Sequence, residues 1–524
     1  KEDNQKLLHP PSYAALRANL ATISSEACRN FDDQAQHPQL RRRFLGMPAA
    51  LRLLLPLTLL FSSSTTLLAE RSDPRPNILF IMLDDLGKEW VSCYGAEGID
   101  TPNVDQLAKT GIRFDNFYVM PQCTPTRLSF LTGQYPFRHG WVNHWDVPRW
   151  GGGAHYDFDK NPCIARVMKD AGYKTAVAGK WQINDFRVQP EVMSEMGFDD
   201  YCMWTGYEAQ NPPSGERYWN PYIHTKEGSK THKDAYGDTV FTDFLIQFME
   251  KHRNEPMFLY FPMCLPHAPF VTTPGEPKAE TKMDKHRAMV RYADHLTGKL
   301  TKALDELGIR EDTIIVWTTD NGTSGGITGT LNGRSVRGGK AKPTEAGVCV
   351  PMIVNGPSRV KKGLESKALM TIADFLPTFA AIGQGKPSQE FTYDGKDCSE
   401  ALLGSSPRSP HDWILSMGGK NQAKLTDQGV ENAYVFRDRV IRDERFKLYV
   451  DTNRQPARLI DLRNDPDEKN DLIASDDAEV KAALRKLSKP LEEFPERDND
   501  PIYEPLDAQA WDVKVSAKSE VWKK

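Results

Sequence analysis

Short apolar runs alternate with amphipathic stretches from about residue 75 onward, which is typical of βαβ units around a mostly parallel sheet. The runs NILFIML (77–83), KTAVAG (174–179), MFLYF (257–261) and TIIVWTT (313–319) predict buried strands. NVDQLAKTG (103–111) predicts a helix closed by glycine. We therefore expect an α/β fold whose large, mixed, mostly parallel sheet lies between helices.

The pattern weakens at GQGKPSQ (383–389), a connection rich in glycine, proline and glutamine. Beyond it, residues 439–451 and 458–472 predict antiparallel strands, and about 477–491 predict a helix. We expect a main domain over 75–390, a smaller α+β domain with a short antiparallel sheet over 391–500, and a C-terminal tail over 501–524.

Residues 1–74 are predicted to be a leader and export region. The apolar segment 51–69 contains Arg52 and Pro56 and decays into serine and threonine, which favours a signal-peptide core over a stable membrane span. RRRFLG (41–46) resembles a twin-arginine signal, and Met47 could equally start an ordinary secretory signal. Both interpretations predict export, to the periplasm or outside a bacterial cell, and leave open whether residues 1–46 are translated.

The charge balance and the cysteine count of the chain limit the classes of partner and site to be considered. The 67 Lys and Arg against 71 Asp and Glu give a net charge of −4, which predicts no nucleic-acid partner. Eight cysteines occur without a C-x-x-C pair or zinc-like spacing. Seven of them follow the predicted signal, so the sequence predicts either several buried free thiols or one thiol with a chemical role.

Polar side chains follow each of the four predicted strands. In chain order they are Asp84 and Asp85, Lys180, His267 in a turn, and Asp320 with Asn321. Ligands of open α/β sheets bind beyond the carboxyl ends of the strands, so these groups are expected to converge. Carboxylate and amide oxygens suit a hard cation such as calcium or magnesium.

The stretch CTPTRLSFLTG (123–133) places a cysteine at a predicted helix start. Pro125 is tolerated in a first helical turn, so the helix is expected to begin around Thr124 to Thr126. Cys123 would then lie at the positive helix end, near the permanent charge of Arg127. A cysteine nucleophile of low pKa fits this environment, but a thiolate is a poor neighbour for a hard cation.

The C-T-P-T-R segment resembles the C-x-P-x-R signature of the type I, formylglycine-dependent sulfatases of the alkaline phosphatase superfamily. The resemblance runs from about Pro76 to Leu472 and includes PNILFIMLDDLG, LTGQYPFRHG, AGYKTAVAGKW, PHAPF, TDNG, RGGK and LIDLRNDPDEKNDL. It implies an alkaline-phosphatase-like fold and hydrolysis of a sulfate monoester to an alcohol and inorganic sulfate. It also implies that a maturation enzyme converts Cys123 to formylglycine (3-oxoalanine), whose hydrate attacks sulfur.

The resemblance implies a role for each matching residue. Ca²⁺ would be held by Asp84, Asp85, Asp320, Asn321 and residue 123. Arg127 would orient the hydrate. Lys180 and Lys340 would bind sulfate oxygens, and His267 would donate a proton near the leaving-group oxygen.

Two positions depart from the family pattern. Gln182 stands where a histidine assists the hydrate; it is still expected to contact substrate, but it cannot accept a proton usefully at neutral pH. His139 is the first place to look for a replacement base. Thr126 stands where serine is commoner and keeps the hydroxyl.

Aromatic residues crowd segments 141–158 and 201–224, which suits stacking on sugar rings, with Arg149 or Arg217 reading further anionic groups. Packing beneath an insertion is the competing interpretation. The substrate is expected to be a sulfated glycan or a sulfated small molecule such as an aryl sulfate. Two alternatives stay open: a phosphomonoester or phosphodiester hydrolase of the same superfamily, and a catalytically silent glycan-binding protein.

Overall fold

The computed structural model describes residues 73–142, 155–419, 422–426, 429–504, 506–507, 509–512 and 522–523. The predicted export signal and most of the aromatic segment 141–158 lie outside these residues. Within them, even the longest helix, Lys282–Glu306, is too polar to cross a bilayer.

The strands alternate with helices along the first three quarters of the chain. In chain order the strands are β1 (Asn77–Leu83), β2 (Ala96–Glu97), β3 (Ile112–Tyr118), β4 (Lys174–Lys180), β5 (Asp200–Trp204), β6 (Tyr222–Thr225), β7 (Gly228–Thr231), β8 (Met257–Pro262), β9 (Thr313–Thr319), β10 (Thr328–Leu331), β11 (Arg334–Arg337), β12 (Cys349–Asn355), β13 (Leu364–Ser366), β14 (Met370–Thr371), β15 (Ile414–Met417), β16 (Gln422–Thr426), β17 (Gly429–Asn432), β18 (Arg439–Arg442), β19 (Phe446–Val450), β20 (Pro456–Asp461) and β21 (Trp522–Lys523).

The helices vary from one turn to seven. They are α1 (Pro102–Lys109), α2 (Cys123–Thr132), α3 (Pro136–His139), α4 (Ile164–Asp170), α5 (Val192–Glu195), α6 (Gly237–His252), α7 (Lys282–Glu306), α8 (Glu345–Val348), α9 (Phe375–Gly383), α10 (Ser399–Leu403) and α11 (Ala478–Ser488). Short 3₁₀ turns occupy Lys88–Trp90, Ser92–Tyr94, Pro212–Gly215, Ile372–Asp374 and Lys489–Glu492.

The main sheet has eleven strands in the order β13-β3-β12-β9-β1-β8-β4-β5-β6-β7, with β14 also paired to β3. Its centre, β9-β1-β8-β4-β5, is entirely parallel. Strand β12 runs antiparallel to β3 and β9, and β6 and β7 complete an antiparallel edge. The predicted mixed, mostly parallel sheet is confirmed.

Helices cover both faces of this sheet, as its fully buried central strands require. In β1, Ile78 and Phe80 pack into one hydrophobic cluster with α2, α4 and α9. Leu79 and Ile81 face the opposite cluster, with α1, α6 and α7. Because successive strand residues point to opposite faces, one run of six apolar residues, 78–83, contributes side chains to both hydrophobic clusters.

A separate four-stranded antiparallel sheet, β15-β18-β19-β20, forms the predicted C-terminal α+β region. Helix α11 packs on β19 and is capped by Asp477, whose carboxylate accepts from the backbone N–H groups of Glu479 and Val480. Leu448 and Leu487 of this region belong to the same hydrophobic cluster as Phe80 of the main sheet. The described residues from 73 onward form one compact unit; domain boundaries at 390 and 500 stay predictions.

Candidate active site

The carboxyl ends of four adjacent strands deliver the polar residues expected from the sequence. Strands β9, β1, β8 and β4 are consecutive neighbours in the sheet. Asp320 and Asn321 follow β9, Asp84 and Asp85 follow β1, His267 lies five residues past β8, and Lys180 ends β4. Their common location follows from the strand order, because parallel neighbours end at one sheet edge.

Cys123 lies at the amino end of α2, at the same edge. The helix begins at Cys123 itself, one residue earlier than expected, because Gln122 takes extended backbone and caps it. The Thr126 hydroxyl donates to the Met120 carbonyl and lies within hydrogen-bond distance of the Met120 N–H, both at 3.1 Å. These contacts fold the preceding chain onto the first turn and fix the position of Cys123, which is 2% exposed.

Buried ion pairs connect the first two cations to two of the carboxylates. Arg127 Nη2 donates to Asp320 Oδ2 at 2.7 Å and lies 3.7 Å from Asp84 Oδ2. Lys180 Nζ donates to the same Asp84 oxygen at 2.6 Å. All four side chains are buried, so these attractions act in a medium of low dielectric constant.

The remaining polar groups of the pocket lie around the Asp85 carboxylate. Lys340 Nζ lies 2.6 Å from Asp85 Oδ1, and the Asn321 side-chain amide donates to that oxygen at 2.7 Å. His267 Nε2 lies 3.7 Å from Asp85 Oδ2. Asp85 has a φ of 68°, in the left-handed region that residues other than glycine rarely occupy. Backbone strain of this kind clusters at functional sites.

Lys340 reaches the pocket on a glycine-rich loop. Its N–H donates to the Thr323 carbonyl at 3.0 Å, and the Ala341 N–H donates to the Pro121 carbonyl at 2.8 Å. Gly339 is required because a Cβ there would lie 2.4 Å from the backbone of α8. The loop is thereby tied both to the strand-end segment and to the chain entering α2.

The three carboxyl groups oppose one another's ionisation. Burial raises the pKa of Asp85, although Lys340 opposes it. Burial and then the Asp84 charge raise the pKa of Asp320 well above its usual range. Burial acts the same way on Asp84, but Lys180, His267 and Arg127 together lower its pKa well below the usual value.

Two oxygens in this pocket fit a bound cation. Asp84 Oδ1 and Asn321 Oδ1 are buried and have no hydrogen-bond partner among the described residues. Ligand atoms of Asp84, Asp85 and His267 lie within 4.8 Å of one another. Buried unpaired oxygens beside strained carboxylates match the needs of a hard divalent ion, which binds oxygen donors.

Asp374, Cys398 and His411 form a second cluster of ligand-type side chains. Asp374 Oδ1 accepts from the Lys396 N–H at 2.9 Å and lies 2.8 Å from His411 Nε2, while Oδ2 accepts from the Thr371 N–H at 2.8 Å. Both oxygens are already paired, so this cluster is a hydrogen-bonded packing site.

Gln182 faces the residue-123 side chain, with Oε1 4.0 Å from Sγ. Its φ of 62° is again left-handed. His139 is not positioned to replace a histidine here, because its Nε2 lies 3.1 Å from Ser129 Oγ and its Nδ1 accepts from the Trp141 N–H. Burial lowers the pKa of His139 to about 3, as expected of a packed, neutral ring.

The aromatic side chains of segment 201–224 serve mainly in packing within the protein. Trp204 and Tyr218 are buried, and the Trp204 indole donates to the Ser214 carbonyl at 2.8 Å. Tyr207 is more exposed, at 39%. Packing is thus the correct interpretation for Trp204 and Tyr218, while Arg149 lies outside the described residues.

Two further residues support the loop that carries His267. Arg217 Nη2 lies 2.8 Å from His267 Nδ1. Asp238 accepts from the Cys264 N–H at 2.8 Å, and burial raises the pKa of Asp238 to about 7. The sequence suggested a binding role for Arg217 and none for Asp238, since an acidic residue in a first helical turn usually indicates only a cap.

No disulfide links the cysteines of the described residues, which lie at positions 93, 123, 163, 202, 264, 349 and 398. Five of them are buried. Of the two possibilities left by the cysteine count, several buried thiols describe most of the set.

Comparisons with known proteins agree with this geometry. The model of the sulfatase family matches residues 76–385. The chain is 28% identical over 498 residues to the N-acetylgalactosamine-6-O-sulfatase of Bacteroides thetaiotaomicron, covering 80% of this chain and 93% of that protein. It is 29% identical over 470 residues to human arylsulfatase A, covering 79% and 87%.

Among solved structures, the chain is similar to Ps i-CgsB in complex with k-i-k-neocarrahexaose. The TM-score is 0.66 at 25% identity, covering 82% of this chain and 95% of that one. Sulfatases are sulfuric ester hydrolases that generally use a formylglycine and a metal ion. The family model, the relatives and the shared fold together show that this chain belongs to the sulfatase family.

Proposed function

We propose that this chain hydrolyses a sulfate monoester of a glycan, with Cys123 converted to formylglycine and Ca²⁺ held beside it. The observation that carries the proposal is the convergence of three carboxylates and three cations from separate chain segments around the amino end of α2. The Cys123 position within this cluster matches the C-x-P-x-R signature.

Calcium is the proposed ion because the resemblance to the sulfatases implies it, and the oxygen donors of Asp84, Asp85, Asp320 and Asn321 suit a hard cation. When bound, the ion would supply positive charge that offsets the crowded carboxylates and the charge of a sulfate group. Formylglycine would supply an aldehyde whose hydrate provides the oxygen nucleophile.

The chain's own cations would bind and orient the substrate. Lys180 pairs with Asp84 and Lys340 pairs with Asp85, and both lysines would bind sulfate oxygens. Arg127 is fixed by Asp320 and would hold the modified residue in position. His267 is half-buried at the rim, where Nε2 would donate to the leaving-group oxygen. Fixed cations stabilise charge that develops on ester oxygens.

A glycan substrate is favoured over a simple aryl sulfate by the relatives. One of them is named for N-acetylgalactosamine-6-O-sulfate, and a similar solved structure contains a carrageenan-type hexaose. Lys340 is 21% and His267 24% exposed at the side chain, so the pocket reaches solvent at these two residues. A leaving group as large as a sugar can therefore extend outward.

Gln182 motivates a second candidate, a sulfatase fold that binds sulfated glycans without turnover. A glutamine Oε1 at 4.0 Å from the residue-123 side chain can accept a hydrogen bond but cannot take up a proton. The presence of all three carboxylates and all three cations in the pocket favours the catalytic candidate over the silent one.

The deciding experiment measures inorganic sulfate release from 4-nitrophenyl sulfate and from a panel of sulfated glycans. The protein is produced with a formylglycine-generating enzyme and loaded with Ca²⁺, and Cys123→Ala is the matched control. We expect wild-type release that chelation abolishes and Ca²⁺ restores. Glycan binding without release would favour the silent candidate, and release of phosphate from phosphate esters alone would overturn both.

Maturation and export are part of the proposal. Mass spectrometry of the peptide spanning residue 123, from protein of the native host, should show formylglycine in place of cysteine. The same sample should lack the segment up to about residue 70 if the predicted signal is removed. An unmodified Cys123 in that protein would contradict the proposed nucleophile.

A further inference from the structure

Tyr207 is the exposed aromatic side chain of segment 201–224. Residues 201–206 and 208–209 are buried, so Tyr207 is the one position of the run 201–209 that faces solvent. It is 39% exposed and, with Tyr434 at 38%, is one of the two most exposed aromatic residues whose side chains the structure describes. Single exposed apolar side chains are common on protein surfaces, so the location of Tyr207 decides whether it has a role.

The chain leading into Tyr207 packs on the wall of the pocket. The Gln182 N–H donates to the Thr205 carbonyl at 2.8 Å. Gly206 has a φ of 111°, and a Cβ there would lie 2.9 Å from Gln182 Cγ. Gln182 Oε1 in turn lies 4.0 Å from Cys123 Sγ. Tyr207 is therefore one residue beyond a backbone segment that contacts the pocket directly.

The other end of the same loop contacts a second pocket residue. Arg217 Nη2 lies 2.8 Å from His267 Nδ1, and Arg217 is buried. Loop 205–217 thus joins Gln182, which faces residue 123, to His267, the proposed donor to the leaving-group oxygen. The exposed ring of Tyr207 is carried by a loop that contacts the pocket at both ends.

Hydrogen bonds fix the backbone around Tyr207. The Glu208 N–H donates to Ser214 Oγ at 2.7 Å, and the Trp204 indole donates to the Ser214 carbonyl at 2.8 Å. A Cβ on Gly215 would lie 3.7 Å from Tyr207 Cδ2, so the ring lies beside this turn. A tyrosine on a fixed backbone has only two side-chain torsions to order, so binding to its ring costs little conformational entropy.

The exposed part of this loop is uncharged. Its exposed residues between 207 and 215 are Tyr207, Gln210, Pro212, Pro213 and Gly215. A second sulfate group would need a cation to bind it. An aromatic face with neutral neighbours instead suits the apolar C–H face of an uncharged sugar ring.

We infer that Tyr207 is a specificity-determining residue that stacks on a sugar ring of the leaving alcohol. The inference rests on the proposed function and narrows its substrate class to sulfated glycans. Tyr207 touches no reacting atom, and stacking on the sugar is equally strong before and during S–O cleavage. The contact therefore lowers KM and leaves kcat unchanged.

Binding is measured by calorimetry with Ca²⁺-loaded Cys123→Ala protein, which cannot turn the ligand over. The probes are the sulfated glycan panel of the release assay, including 6-O-sulfated N-acetylgalactosamine and a carrageenan hexaose. Adding Tyr207→Ala should weaken glycan binding roughly three- to tenfold, and Tyr207→Trp should retain it. In proton NMR the sugar ring protons should shift upfield with the parent protein and not with Tyr207→Ala, because protons above an aromatic face are shielded.

Kinetics of the matured enzyme separate binding from a structural role. Tyr207→Ala should raise KM for the glycan by the same factor as the loss of affinity, with kcat unchanged. Its kcat for 4-nitrophenyl sulfate should also be unchanged. A fall in kcat on both substrates would show that Tyr207 supports the fold of the pocket, and would overturn the inference.

The matched control is Tyr434→Ala. Tyr434 is equally exposed but lies between β17 and β18, with the Arg437 guanidinium carbon 5.4 Å from its ring centroid. This variant should bind the glycans as tightly as the parent. A loss as large as that of Tyr207→Ala overturns the inference, as does full affinity in Tyr207→Ala or a parent that binds no glycan.

The proposed function and the Tyr207 inference fail separately. If the matured wild type releases sulfate from no ester but binds a glycan through Tyr207, the proposed function fails and the inference stands. If it releases sulfate from a glycan that Tyr207→Ala binds equally well, the inference fails and the proposed function stands.

Discussion

Two buried clusters of charge in this protein have opposite characters. In the pocket, Asp84 Oδ1, Asn321 Oδ1 and two nitrogens of Arg127 have no hydrogen-bond partner among the described residues. The second cluster, which we call the Lys447 network, consists of Lys447, Glu345, Glu468 and Tyr449. Lys447 Nζ lies 3.0 Å from Glu345 and 2.9 Å from Glu468, and the Tyr449 hydroxyl donates to Glu468 at 2.6 Å.

The Lys447 network joins β19 of the C-terminal sheet to α8, just beyond the Lys340 loop. The Glu345 N–H also donates to Glu468 Oε2 at 2.7 Å. Paired charges of this kind serve structure, whereas unpaired atoms and strained backbone in the pocket indicate a site kept ready for ligands. Substitutions in the two clusters should therefore separate activity from stability.

The largest effect is expected from Asp320→Asn in the pocket. The amide keeps the volume of the carboxyl but removes a negative charge from the proposed Ca²⁺ site. A loss of several kcal/mol of charge stabilisation corresponds to about 10³-fold slower sulfate release. Calorimetric Ca²⁺ titration should show weakened binding. Sulfate release is compared per folded molecule, because removing the carboxylate that Arg127 Nη2 contacts at 2.7 Å also costs stability.

Unchanged Ca²⁺ affinity in Asp320→Asn would show that the ion, if bound, lies elsewhere. Unchanged sulfate release per folded molecule would mean that the Asp320 carboxylate contributes mainly to folding.

The next effect is expected from Glu345→Gln in the Lys447 network. Removing one partner of a buried pair should lower the free energy of unfolding by about 3 kcal/mol, with sulfate release per folded molecule retained. Although burial opposes it, Lys447 and Arg442 lower the pKa of Glu345 to about 2 from 4.5. This stabilisation is present above pH 4.5 and is lost as the pH falls toward 2, so variant and wild type should converge in acid.

Arg334→Ala is the control for Glu345→Gln. The Arg334–Asp467 pair is shorter, at 2.6 Å, but its side chains are 41% and 37% exposed. Urea unfolding should show a loss below about 1 kcal/mol, as for other exposed pairs. Similar losses in both variants would remove the distinction between buried and exposed pairing.

A smaller and opposite effect is expected from Asp238→Asn. The pKa of Asp238 is raised from 3.8 to about 7 by burial, so the native state holds a proton that the unfolded chain releases above pH 3.8. Wild-type stability should fall as the pH rises from 3.8 to 7, because the unfolded chain binds fewer protons there. The variant lacks this cost and should be more stable at pH 8 by on the order of 2 kcal/mol.

Urea unfolding at pH 5 and pH 8 measures the difference. A variant that loses stability at both values would show that the Asp238 carboxylate is charged and supports the Cys264 N–H as an anion.

The local hydrophobic pattern predicted the central strands of the sheet well. It did not predict ion pairs between residues that are far apart in the sequence. Strand β1 matches its predicted bounds because six consecutive apolar residues after Asn77 have the length and composition of a strand buried on both faces. The strand-end residues converge because strand order places them together. Lys340 was found only through the resemblance, since a lysine after two glycines looks like a solvated loop residue. Lys447 gave no signal, because its buried partners lie 102 residues before it and 21 after it.

The roles of the site residues stay predictions, although the structure brings every one of them to the same sheet edge. The sequence suggested Arg149 or Arg217 as readers of further anionic groups, with packing as the competing interpretation, and in the structure Arg217 Nη2 lies 2.8 Å from His267 Nδ1. The contact between Arg217 and His267 depends on how segment 205–221 packs against the loop after β8. The hydrophobic periodicity of the sequence carries no information about that packing.

The burial of Cys123 limits when its proposed oxidation can occur. At 2% exposure, under the Lys340 loop and behind Gln182, its sulfur is out of reach of a second enzyme's active site. Maturation would have to act on the nascent or unfolded chain. On the proposed mechanism, packing would set the order of biosynthesis, because a molecule in which Cys123 is still unconverted when α2 packs would remain inactive.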